Sequence, residues 1–75
     1  MKLNELQNKL LELSIPENAY SLSGGLPNET ICIDESNGKW VTYYSERGNK
    51  TGYKVFDNEE EACNYFLGWI KRNFA

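Results

Sequence analysis

No histidine occurs anywhere in the 75 residues. Histidine is the side chain that most often moves protons at neutral pH, so acid–base work would fall to carboxylates. Serine or cysteine nucleophiles would lack an imidazole partner, leaving lysine as the remaining base. Cysteine is scarce: Cys32 and Cys63 stand far apart. With no histidine beside them they fall short of a metal site, and reduced buried thiols are expected. No apolar run approaches the ~18 residues of a membrane span, and Met1-Lys2-Leu3-Asn4-Glu5 does not open a signal peptide. The expectation is a cytoplasmic protein with no cofactor, no metal, no catalytic activity and no membrane partner. Lysine and arginine are absent from the whole interval Leu10 to Gly38, the net charge is −3 and the pI about 4.8. That balance argues against nucleic acid as a direct partner. Repeats, linkers and low-complexity segments are missing too, so residues 1–75 read as one domain. So small a domain buries only about 60% of its unfolded surface, which leaves little room for an enclosed pocket.

What the chain does have is a dense aromatic and β-branched stretch, Lys39-Trp40-Val41-Thr42-Tyr43-Tyr44-Ser45. Such residues fit a pleated, half-buried surface. Just before it, Asn37-Gly38 is the strongest short hairpin signal, because both central positions of a type I′ turn need positive φ. With these two residues as the loop, Glu35 falls opposite Trp40, Ile33 opposite Thr42 and Ile31 opposite Tyr44. Ile31, Ile33, Trp40, Thr42 and Tyr44 then share a core face, while Cys32, Asp34, Val41 and Tyr43 point away.

The rest arranges itself around that hairpin. Leu3, Leu6, Leu10 and Leu13 recur at helical spacing, which predicts a helix over residues 2–13, ended by Pro16. Ala19-Tyr20-Ser21-Leu22 offers a short edge strand at 19–22. The loop Ser23-Gly24-Gly25-Leu26-Pro27-Asn28-Glu29 follows; no lysine or helix start stands where a phosphate loop needs one. Strands are expected at 30–35, 39–46 and 51–56, then a helix at 58–72 with Asp57 as its cap and Glu60 completing a capping box. Ala62, Cys63, Phe66, Trp69, Ile70 and Phe74 give that helix a broad apolar arc. The expected fold is α+β: an N-terminal helix, a three- or four-stranded antiparallel meander, and a C-terminal helix packed on one face. The other face is left to solvent or a partner. A monomer is expected, although an exposed third strand also offers an edge to a second copy.

The carboxylates do not assemble catalytic chemistry. Asp34 and Glu35 are strand neighbours and point to opposite faces, and Glu59-Glu60-Glu61 is accounted for by the helix start. Glu17, Glu29, Asp34 and Glu35 sit in loops or near strand ends, where no structural rule demands an acid. An acidic rim of this kind speeds encounter with a basic protein; the plainer account is that these acids keep a small protein soluble. Tyr43, projecting from the outer face, reads as a rigid aromatic anchor, with Glu46 and Arg47 as further contact candidates. A second function class is a small regulatory or nucleic-acid-binding domain. It would use Tyr43 with Lys39, Arg47, Lys50 and Lys54, since aromatic sheets stack bases.

Several segments together resemble one group of bacterial proteins. They are Tyr20-Ser21-Leu22-Ser23-Gly24-Gly25-Leu26-Pro27-Asn28-Glu29, Gly38-Lys39-Trp40, Tyr43-Tyr44-Ser45-Glu46-Arg47-Gly48, and Phe56 with Glu59-Glu60-Glu61-Ala62-Cys63. The group is the small immunity proteins encoded beside polymorphic or contact-dependent growth-inhibition toxins. The resemblance implies a protein that binds and neutralises the toxic domain of a cognate effector, often a nuclease. Nuclease domains hold a phosphate backbone and are commonly basic, so an acidic inhibitor fits them. It implies no particular interface residues, because such proteins vary most where they touch their toxins.

Overall fold

A computed structural model describes residues 1–74. Helix α1 (Leu3–Glu12) leads through a 3₁₀ turn (Glu17–Ala19) into strands β1 (Tyr20–Ser21), β2 (Thr30–Ser36), β3 (Lys39–Glu46) and β4 (Asn49–Phe56), and helix α2 (Glu59–Phe74) closes the fold. The four strands form one sheet in the order β1-β2-β3-β4. The fold class is α+β, as the sequence pattern predicts. The sheet differs from expectation in one respect: β2, β3 and β4 form the antiparallel meander, but β1 joins parallel to β2, Tyr20 beside Ile31 and Ser21 beside Cys32. Residues 22–29 do not reverse as a hairpin. They cross the face of the sheet opposite the helices, so the chain re-enters in its original direction.

The central register is the predicted one: Glu35 pairs with Trp40, Ile33 with Thr42 and Ile31 with Tyr44. Asn37 and Gly38 carry φ of 53° and 79°, the pair of left-handed residues that a type I′ turn requires. Ile31 and Ile33 meet Leu6 and Leu10 of α1 and Ala62, Cys63, Phe66 and Ile70 of α2 in the main core; Trp40 and Tyr44 are half-buried at its edge. Each large apolar side chain sealed there contributes about 1.5–3 kcal/mol. Leu13, placed on the α1 stripe by spacing, is exposed, because Ser14 turns left-handed and the helix stops one residue before it. The helices are also tied at their starts. The Leu3 N–H donates to Glu59 Oε2 at 2.8 Å, so the first turn of α2 caps α1.

The start of α2 corrects the expected cap. Asn58, not Asp57, holds the first turn: its Oδ1 accepts the Glu61 N–H at 2.8 Å, and its amide donates to the Glu61 carboxylate at 3.2 Å. Asp57 is drawn off by Lys39 across the sheet end, and that ammonium holds the Asp57 carboxyl below its usual range.

Part of the outer face, which the pattern left to solvent or a partner, is covered by the chain itself. Cys32, Val41 and Tyr43 form a second buried cluster under residues 22–29. Tyr43 is fully buried; its hydroxyl donates to the Gly25 carbonyl at 2.7 Å, and its ring stacks on Tyr53 with centroids 5.9 Å apart. Strand alternation tells which way Tyr43 points, not whether a loop returns to cover it. The close approach depends on Gly24, buried at φ 72°, where an added Cβ would lie 2.9 Å from the Asp34 Cβ. Gly24→Ala is therefore expected to cost about 1–3 kcal/mol, from the left-handed backbone and the collision together, as urea unfolding will show.

Two buried hydroxyls, those of Thr42 and Ser45, sit uneasily. Thr42 is fully buried on the helix side, and its hydroxyl meets no hydrogen-bond partner among the described residues. Thr42→Val keeps the shape and removes the orphan, so a gain of about 1 kcal/mol is expected, readable as a higher melting temperature.

Candidate functional site

The sheet has two ends, and the candidate acids divide between them. At one end lie Glu29, just before β2, and Glu46, the last residue of β3, since Thr30 pairs with Ser45. Glu17 begins the 3₁₀ turn beside them, whose Asn18 carbonyl accepts the Thr30 hydroxyl. Arg47 joins them; its N–H donates to Asn28 Oδ1 at 3.1 Å. Glu35 is six positions along β2 from Glu29, about 20 Å away at the hairpin end. Asp34 is half-buried beneath Gly24, and its Oδ1 accepts the Glu35 N–H at 2.9 Å. It therefore serves the loop, and reversing its charge would disturb the fold as well as any interface. Tyr43, expected as an exposed anchor, is sealed in the second cluster. The aromatic that this face shows to solvent is Tyr53, 50% exposed beside Val55.

The basic stretch 39–54 does not gather on one surface either. Lys39 is bound to Asp57; Lys50 lies over the Tyr43 ring at 4.6 Å on the outer face; Lys54 lies over the Tyr65 ring at 5.3 Å on the helix side. Tyr43, the aromatic expected to stack a base, is buried and not presented for it.

Glu29 stands at the mouth of an open pocket of about 460 Å³ between α2 and the acidic end of the sheet. Ile31, Tyr44, Trp69 and Phe74 wall it, with Thr51 and Asn73 among its polar lining. Trp69 is held in place by two neighbours. Its ring meets Tyr65 edge-on at 5.9 Å, and on β4 it rests against Gly52, where an added Cβ would lie 3.3 Å from the indole. Gly52 has φ 62° and occupies a bulge, two residues of β4 passing one of β3 between the Thr42 and Tyr44 pairings. The Tyr44 phenol is raised from its ordinary value by burial first, then by the carboxylates of Glu46 and Glu29.

Two of the charged residues at this end are costly choices for their backbone. Glu29 and Arg47 have φ of 52° and 51°, where a side chain costs about 1–2 kcal/mol and glycine or asparagine would sit more easily. Both are exposed, and no ion pair engages either among the described residues.

The sequence pattern placed Tyr44, Trp69 and Phe74 on apolar faces, and so in the core. Tyr44 and Trp69 do pack against that core, but only in part, and they leave a side open to the pocket; Phe74, in the last turn of α2, is 49% exposed. Among the described residues no cluster of three or more acids and cysteines converges as for a metal ion, and no helix is long and apolar enough to cross a membrane. Comparison with protein-family models, curated proteins and solved structures returned no match.

Proposed function

We propose that this chain is an immunity-type inhibitor: a non-catalytic cytoplasmic monomer that docks a basic toxin domain, a nuclease by preference of charge, on the acidic end of its sheet. The observation that carries this is an open aromatic pocket lined by Glu29 at the end of the sheet where Glu46 and Glu17 also lie. Carboxylates presented at a surface attract a positively charged protein over long range and orient it. A preformed aromatic cleft at the same place then supplies the desolvated contact that holds it. Glu35, Arg47 and the outer-face pair Tyr53 and Val55 are left to the periphery of the contact.

Co-expression with the product of the adjacent reading frame tests it. The expected outcome is a stable complex on purification and survival of cells that the effector alone kills. Recovery of the two proteins separately, with the effector still lethal, contradicts the proposal.

A further inference from the structure

We infer that the pocket between α2 and the acidic end of the sheet seats an arginine side chain of the bound protein. This deepens the docking function proposed above and rests on it for the source of the arginine, while the chemistry is legible in the pocket itself.

The cleft is open to the surface, so an occupant can enter from outside. Its volume of about 460 Å³ is in the range of small-molecule sites and admits a long side chain with room to spare. Its walls are aromatic and fixed, Trp69 being wedged between Tyr65 and Gly52. Its polar lining is rich in acceptors. Glu29 brings a carboxylate. The Thr51 hydroxyl gives its proton to the Tyr44 carbonyl at 3.4 Å, and the Asn73 amide gives one to the Trp69 carbonyl at 2.8 Å. With its proton so used the Thr51 hydroxyl has only lone pairs left to offer, while Asn73 keeps its Oδ1 to accept and one N–H to donate.

A group with five N–H donors, no acceptor and a flat face that stacks on aromatic rings fits this lining, and that group is guanidinium. Lysine is the poorer match: its ammonium is compact, strongly hydrated and has no plane to lay on Trp69. Phosphate and carboxylate groups are disfavoured, since no lysine or arginine lines the pocket. The charges that act on the Tyr44 phenol are the two carboxylates, with no cation among them. Arg47 keeps its backbone on Asn28, and neither it nor Lys50 and Arg72, the chain neighbours of Thr51 and Asn73, lines the cleft.

The test uses the ¹⁵N-labelled full chain titrated separately with the blocked amides of arginine, lysine and norleucine. Arginine amide is expected to shift the Trp69 indole N–H and the Asn73 side-chain amide at millimolar concentration, with lysine amide about threefold to tenfold weaker. Norleucine amide, of similar length and uncharged, is expected to leave both unmoved. Glu29→Gln, at an exposed turn position that does not endanger folding, should weaken arginine amide about threefold to tenfold. Equal binding of norleucine amide overturns the inference, because the pocket is then merely apolar. Absence of any Trp69 shift, with salt-dependent binding of the toxin domain intact, also overturns it and leaves the docking proposal standing. Arginine binding at Trp69 in a chain that ignores the toxin domain supports the pocket chemistry and removes the docking proposal.

Discussion

Tyr43→Ala is expected to lower stability by about 3–5 kcal/mol, the usual loss for emptying a buried aromatic site. A domain of 75 residues has roughly 4–11 kcal/mol in all, so much of the chain would unfold at modest urea. Tyr43→Phe separates the ring from the hydroxyl. It keeps the stack on Tyr53 and loses only the bond to Gly25, costing about 1 kcal/mol, with faster amide exchange confined to residues 22–29. The pH dependence separates the two further. Burial, then the neighbouring Cys32 and Asp34, pushes the Tyr43 phenol up to about 12 from its ordinary 10.0. Below pH 10 both folded and unfolded chains hold the proton, and the buried phenol contributes in full. Between pH 10 and 12 the unfolded chain releases it first, so stability falls as pH rises. Tyr43→Phe should flatten that fall. It will not abolish it, because burial also raises Cys63 to about 11 and pushes Cys32 and Tyr44 upward.

Reversing Glu29 and Glu46 together to lysine is expected to slow association with a basic toxin domain by on the order of tenfold or more at low salt. The salt dependence of the on-rate should flatten at the same time. Both residues are exposed and both keep their backbone conformation as lysine, so urea unfolding should change by no more than about 0.5 kcal/mol. Reversal of Glu35, at the far hairpin, is the internal control and should alter the on-rate far less. If reversal at either end slows association alike, the effect is net charge, and the placement of the site is wrong.

The contrast between these two regions shows what local pattern carries and what it does not. The Asn37-Gly38 turn and the alternation on either side of it determine the β2–β3 pairing residue by residue, because turn geometry and strand period act over a few positions. The broad apolar arc of α2 likewise predicts Ala62, Cys63, Phe66 and Ile70 as core. Long-range placement is another matter. The parallel entry of β1, the cover that residues 22–29 lay over Tyr43, and the transfer of Asp57 to Lys39 each depend on segments meeting across the fold. Two glycines in a polar loop look like a turn, yet Gly24 allows the loop to lie flat on Asp34. Among the candidate contacts, Glu17, Glu29, Asp34 and Glu35 stand out as acids that no structural rule demands, with Glu46 and Arg47 as further candidates; Asp34 proves to serve the loop. The pocket beside Glu29 is not legible, since Tyr44, Trp69 and Phe74 carry the same apolar signal whether they face a core or a cleft.

Amide chemical-shift mapping of the labelled chain, as the toxin domain of the adjacent reading frame is added, addresses the central claim most directly. Changes are expected to concentrate at Glu29, Tyr44, Glu46, Trp69 and Asn73, the acidic end and its aromatic cleft. Changes concentrated instead at Tyr53 and Val55 or at the Asn37-Gly38 hairpin, with the acidic end unmoved, would contradict it.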